Sequence, residues 1–268
     1  MTSNSIYLGI IGGGVMAEAI LSRLLAAKTF AADQILVSEP QTARRDYLER
    51  QYQVQVTSDN QTAARAAEVL LLAIKPQVFE LAVANLTLQP DSLVISILAG
   101  VPLSKLAQAF PQQPIVRAMP NTPATVGAGM TAITASQNAQ VEQIEQAKTI
   151  FAAVGEVVEV SESLMDAVTG LSGSGPAFVA MAIEALADGG VASGLPRAIA
   201  LQLAIQTVLG TATLIKESGI HPGELKDRVT SPGGTTIAGV AQLESAGFRS
   251  ALIEAVKAAT KRSQELGK

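Results

Sequence analysis

A chain of 268 residues with 48% hydrophobic and 16% charged side chains can fill two ordinary domains, which excludes a disordered polymer. Its net charge of −4 gives no basic footprint for nucleic acid, so no nucleic-acid partner is expected. With no cysteine and one histidine, His221, the chain has no disulfide, thiol nucleophile or zinc-ligand spacing, and no metal is expected.

The first half alternates short apolar runs with amphipathic stretches. Ser5–Ile11 reads as a strand, Val15–Ala27 as a helix, Ile35–Ser38 as the next strand and Thr42–Arg50 as the next helix. Val54–Val56 follows as a short strand and Asn60–Ala66 as a short helix. Val69–Ile74, Leu93–Leu98 and Ile115–Met119 are continuous apolar runs, the pattern of strands covered on both faces. Met130–Ile133 and Glu156–Val160, around a helix at Ala139–Val154, extend the edge of a mostly parallel sheet.

No strand is expected after Ser161. Ala177–Ala192, Pro196–Glu217 and Phe248–Leu266 read as long helices, with Pro196 in the first turn of the second. That helix is apolar around most of its circumference and therefore needs cover on several sides. The fold class expected is α/β: a Rossmann-like dinucleotide-binding domain over 1–161, then an all-α dimerisation domain over 162–268. An interlocked homodimer supplies the cover; a helical cap packed on its own sheet is the alternative.

The mean hydropathy of +0.33 is high, and the excess is mostly alanine. No apolar run is expected to reach the roughly 18 residues that span a bilayer, so no membrane is expected. Val69–Ile74 is too short, and the stretch after Pro176 is interrupted by Glu184 and Asp188. No basic N-terminus leads into a long apolar segment, so the expected setting is the cytoplasm.

Chemistry is concentrated at strand ends and helix starts. Gly12, Gly14 and Ala17 form G-x-G-x-x-A between the first strand and the first helix, the pattern that receives a dinucleotide pyrophosphate. Glu39 ends the second strand, with Arg44 and Arg45 beyond it. An acid there suits the ribose of NAD and an arginine suits the 2′-phosphate of NADP, so NADPH or NADH stays open.

Lys75 ends the fourth strand and faces the expected crevice, while Asn60 reads as a plain N-cap. Met119–Pro123 is stiffened by two prolines, either to hold a nicotinamide ring or as a rigid turn. Leu171–Pro176 and Ser231–Thr236 are loops with hydroxyls and backbone N–H groups at helix starts. Each suits a small carboxylate or a capped turn between helices.

These stretches resemble the pyrroline-5-carboxylate reductase family. The resemblance rests on Gly12–Ile20 (GGGVMAEAI), Ala73–Pro76 (AIKP), Met119–Pro123 (MPNTP) and Asp166–Phe178 (DAVTGLSGSGPAF). Ala185–Pro196 (ALADGGVASGLP) and His221–Ile237 (HPGELKDRVTSPGGTTI) extend it nearly end to end, and the last block is the most discriminating. It implies a Rossmann domain, a helical domain that interleaves two subunits, dimers that often join into rings, and reduction of pyrroline-5-carboxylate to L-proline by NADPH or NADH.

The resemblance implies substrate-binding roles for Ser231, Gly234, Thr235 and Thr236. Thr236 would carry the catalytic role, as orienter or relay at the ring nitrogen. Cofactor contacts implied are Gly12, Gly13, Gly14, Val15, Met16, Ser38, Glu39, Asn60, Ala73, Lys75, Pro76 and Asn121. Val15 stands where many members have Asn, and Gly219 where some have an acid. His221, before Pro222, reads as fixing the loop that leads to Ser231 rather than as a proton donor.

Overall fold

The structure, a computed structural model, describes residues 6–267, so Ser5 of the expected first strand lies outside them. The chain divides into two compact units, one running to Gly173 and taking in the stretch from Ala258 onward, the other Ser174–Lys257.

The first unit holds a sheet of β1 (Leu8–Ile11), β2 (Ile35–Ser38), β3 (Gln55–Thr57), β4 (Val69–Leu72), β5 (Leu93–Ser96), β6 (Ile115–Met119), β7 (Gly129–Ala135) and β8 (Gly155–Glu159). Their order is β3-β2-β1-β4-β5-β6-β7-β8. β1 to β6 run parallel, β7 is antiparallel to β6, and β8 runs parallel to β7.

Residues in the strands alternate between two apolar clusters, one on each face. Leu8, Ile10, Val69 and Leu71 join the first, and Ile11, Leu70 and Leu72 the second. Helices α1 (Val15–Ala26), α2 (Thr42–Tyr52), α3 (Asn60–Ala66), α4 (Phe79–Val83), α5 (Leu103–Ala109) and α6 (Val141–Ala152) cover the faces. Ile20, Leu21 and Leu24 of α1 are buried, each worth about 1.5–3 kcal/mol against exposure.

Several expected boundaries move, each for a local reason. Asp59, not Asn60, caps α3: its carboxylate accepts the Gln61 and Thr62 N–H groups, which leaves the Asn60 side chain free for other work. β4 stops at Leu72, and only the Ala73 N–H continues its ladder, to Ile11 O at 2.9 Å. α4 and α5 are too short to show a 3.6-residue period and were not expected.

Leu171–Pro176 is not a loop. Residues Thr169–Gly173 form a π-helical turn after α7 (Met165–Val168) and lead into α8 (Gly175–Ala192). Asn121 Nδ2 donates to Ser172 O at 3.2 Å and holds that turn to the segment that follows β6.

The first unit extends past the boundary expected at 161/162 because its core elements grip the following segment. Glu162 Oε1 accepts from the Leu103 N–H at 2.6 Å and from Arg117 at 3.3 Å. Ser263, at the end of the final helix, donates to Asp166 at 2.6 Å.

The second unit is helical: α8, α9 (Arg197–Ser218), α10 (Pro222–Arg228), α11 (Thr235–Ser245) and the larger part of α12 (Phe248–Leu266). Pro196 is the N-cap of α9 rather than a residue of its first turn. The buried apolar cluster here is small, Ala187, Ala200 and Ala204, with Ile183 and Val191 against it. Met181, Leu203 and Leu209 are 68%, 53% and 57% exposed, as a helix that requires an external partner would be.

The expectation that no apolar run reaches membrane-spanning length is corrected. Glu162–Ala192 and Arg197–Ser218 are both long and apolar enough by length and composition alone. In α9 the charges Arg197, Lys216 and Glu217 lie at the ends, so 198–215 is uncharged throughout.

Candidate active site

At the carboxyl edge of the sheet, Ile11 lies level with Ser38 of β2 on one side and Leu72 of β4 on the other. The strand order reverses direction here, and a crevice at such a switch point is where an open α/β sheet takes its ligand. A cavity of about 510 Å³ opens there, lined among others by Gly12, Gly14, Ser38, Glu39, Asn60, Ala73 and Lys75.

The glycine turn is shaped for an anion. Gly12 has φ +98°, and a Cβ there would come within 2.6 Å of Ala73 O. Its N–H donates to Ser38 O at 2.8 Å, closing the turn against β2. Gly14 caps α1 without a side-chain bond, and a Cβ added to it would meet nothing within 4 Å. The open space above the first N–H groups of α1 fits a pyrophosphate, which would gain those donors and the helix dipole.

The floor is cross-braced by side chains. Ser38 Oγ donates to Asn60 Oδ1 at 2.7 Å, and Asn60 Nδ2 donates to Ala82 O at 3.0 Å. Glu39 Oε2 accepts the Gly13 N–H at 2.9 Å and Oε1 the Gln41 N–H at 3.0 Å. Beneath the loop, Glu18 accepts from Tyr47, Tyr52 and Arg44. Burial alone would raise its carboxyl, but those three hydrogen bonds outweigh it and hold Glu18 below the usual range. Lys75 caps the 3-10 turn Pro76–Val78 and makes no ion pair among the described residues, so its ammonium is available at the crevice.

Among the expected cofactor contacts, Gly13, Val15, Met16, Pro76 and Asn121 do not line this cavity. Asn121 is engaged elsewhere: its Oδ1 accepts the Met130 N–H at 2.8 Å and its Nδ2 holds Ser172. Sequence reading missed Val78 and Leu81, which line the cavity from the short turn and helix after β4. Leu81, an apolar side chain in the cavity wall, is 83% exposed.

In the second unit, Ser231–Thr236 opens α11. Gly234 is its N-cap, with no side-chain cap bond, and donates its N–H to Ser231 O at 3.1 Å. A Cβ on Gly234 would lie 2.3 Å from Ser231 Oγ, so only glycine lets that hydroxyl sit over the helix start. Thr235 and Thr236 occupy the first turn, where backbone N–H groups have no helical acceptor. His221 caps α10, its Nδ1 accepting the Gly223 N–H at 3.1 Å.

A sheet in this order, with an anion-shaped glycine turn at its switch point, defines a dinucleotide-binding protein of the Rossmann type. Residues 7–100 match the family described as "NADP oxidoreductase coenzyme F420-dependent", and residues 162–266 match "Pyrroline-5-carboxylate reductase dimerisation". The pyrroline-5-carboxylate reductase of Synechocystis sp. is 67% identical over 265 residues, 98% of this chain and 99% of that protein.

Two solved structures are similar over 99% of both chains. The enzyme from Coxiella burnetii has a TM-score of 0.90 at 36% identity. The pyrroline carboxylate reductase of Plasmodium falciparum, with NADP bound, has 0.89 at 31%. The chain belongs to the pyrroline-5-carboxylate reductase family.

Proposed function

We propose that this protein reduces 1-pyrroline-5-carboxylate to L-proline, the last step of proline biosynthesis. The observation that carries this reading is the pairing, in one chain, of an open glycine cradle at the sheet edge with a glycine-capped helix start bearing Ser231, Thr235 and Thr236. Near-complete coverage by reductases of this name supports it.

When bound, NADH or NADPH supplies the hydride that reaches the C=N carbon. The chain's own residues do the rest. The first N–H groups of α1 and Lys75 hold the dinucleotide's anionic groups, and Ser38, Asn60, Ala73 and Glu39 shape the crevice beneath it. Ser231, Gly234 and Thr235 hold the substrate carboxylate through a hydroxyl and the free N–H groups at the start of α11. Thr236 presents its hydroxyl to the ring nitrogen, which takes up a proton as the carbon takes up hydride. A threonine hydroxyl is too weak an acid to be the ultimate source, so it orients the nitrogen and relays a proton from water.

The working unit in this proposal is a homodimer that can assemble into a larger ring, in the cytoplasm, without a membrane or nucleic-acid partner. The exposed apolar faces of α8 and α9, and a family match described as dimerisation over them, favour a second copy as the cover rather than lipid. The test is loss of the reduced coenzyme's near-ultraviolet absorbance with pyrroline-5-carboxylate present. No oxidation of either coenzyme would overturn the reading.

A further inference from the structure

We infer that Arg44 is a positioning residue for the coenzyme: it fixes the Gly13–Gly14 peptide so that the Gly14 N–H faces the dinucleotide's anion. The inference rests on the dinucleotide reading of the crevice. That peptide lies between two residues without Cβ atoms, so turning it over meets little steric resistance. Turned over, it would present a carbonyl oxygen where the anion must sit. A glycine turn alone therefore does not choose between a receptive face and a repelling one.

Side chains make the choice. Arg44, on α2, donates through Nε to Gly13 O at 2.6 Å, while Glu39 Oε2 accepts the Gly13 N–H at 2.9 Å. Both backbone polar groups of Gly13 are thus held by side chains. The peptide is trans, so the Gly14 N–H points away from the guanidinium. It finds no acceptor among the described residues, and Gly14 lines the crevice.

Arg44 is itself held. Its second nitrogen pairs with Glu18 in the first turn of α1, and its guanidinium lies 5.0 Å from the centre of the Tyr47 ring. Glu18 Oε1 accepts the Tyr52 hydroxyl at 2.7 Å and the Tyr47 hydroxyl at 2.9 Å, and the two rings meet edge to face. A guanidinium serves a carbonyl and a carboxylate in one rigid fork, which an ammonium on a flexible stem does not. Arg44 also offsets the Glu18 charge beneath the turn, so a lysine in its place separates charge from geometry.

The experiment is calorimetric titration of the full-length protein with NADH and with NADPH, without substrate, alongside thermal unfolding without coenzyme. Arg44→Met should weaken both coenzymes by about tenfold and equally, because they share the pyrophosphate. With pyrroline-5-carboxylate present, the loss should fall on the coenzyme KM, with kcat moved by less than about twofold. Arg44→Lys should recover thermal stability but not affinity. Should Arg44→Met fail to fold, Glu18→Gln, which loosens the grip on Arg44, should weaken both coenzymes equally by about threefold. Unchanged affinity in Arg44→Met, or in Glu18→Gln where that variant replaces it, overturns the inference. So does a loss confined to NADPH, which would make Arg44 a direct contact of the 2′-phosphate. Full recovery of affinity in Arg44→Lys also overturns it, since charge alone would then suffice. Binding of neither coenzyme by the unaltered protein would instead overturn the dinucleotide reading, and this inference with it.

Discussion

The hydroxyl of Ser38, at the end of β2, donates to Asn60 Oδ1 at 2.7 Å, at the start of α3. Asn60 passes the connection on through Nδ2 to Ala82 O in α4, so one amide ties three elements at the floor of the crevice. Ser38 is 1% exposed, which makes an unpaired hydroxyl there costly. Asn60→Ala should lower unfolding free energy by about 1–3 kcal/mol and weaken coenzyme binding. Denaturant unfolding and coenzyme titration check it; an Asn60 that only capped α3 would leave coenzyme affinity unchanged.

Gly12 and Gly14 should fail differently. A side chain at Gly12 meets backbone at 2.6 Å and a φ of +98°, so Gly12→Ala should destabilise the fold itself. At Gly14 the space is open, so Gly14→Val should fold normally and lose coenzyme binding, because its methyls fill the pyrophosphate's place. Circular dichroism with fluorescence titration of the reduced coenzyme separates the two. Retained affinity in Gly14→Val would remove the loop from the site.

The cluster beneath the loop predicts two limbs of pH dependence. Glu18 is held below its ordinary range, so its contribution is present above about pH 4.3 and is lost as pH falls through its folded value. Tyr52 is raised, by burial first and then by Glu18, so its contribution is whole below about pH 10 and fades as pH rises beyond. Tyr52→Phe should cost about 1–2 kcal/mol near neutral pH, with the deficit narrowing above about pH 10. Thermal unfolding from acid to alkaline pH checks the sign; a deficit that widens above that point contradicts it.

Apolar side chains on α9 test the proposed subunit contact. Leu203 and Leu209 are about half exposed in the single chain yet carry no polar function. Leu203→Glu should shift the protein from dimer to monomer in sedimentation and lower its thermal stability, as burying an unpaired carboxylate costs several kcal/mol, on the order of the subunit contact itself. An unchanged sedimentation profile would place the interface elsewhere.

The centre of the sheet was legible because its strands are short and buried on both faces: Val69–Leu72 is apolar throughout, and Leu93–Ser96 is apolar but for its terminal buried serine. The glycine turn was legible because Gly12 and Gly14 answer to separate steric demands at a fixed spacing. Asn60 was read as a cap because its bonds to Ser38 and Ala82 span 22 residues in each direction, beyond any local pattern. The π-turn at Thr169–Gly173 was read as a loop because glycine and serine favour one, whereas a distant contact from Asn121 holds the turn in place. The uncharged interior of α9 was overlooked because glutamines and threonines break up its apolar run without adding charge.

The most direct measurement follows the hydrogen itself. The unaltered protein, given pyrroline-5-carboxylate and coenzyme deuterated on the transferring face of the nicotinamide, should yield L-proline with deuterium on the ring carbon across the nitrogen from the carboxylate-bearing one. Thr236→Ala should lower kcat by about tenfold to a hundredfold with little change in coenzyme affinity. Product without deuterium at that carbon, or no product while the coenzyme stays bound, would contradict the account.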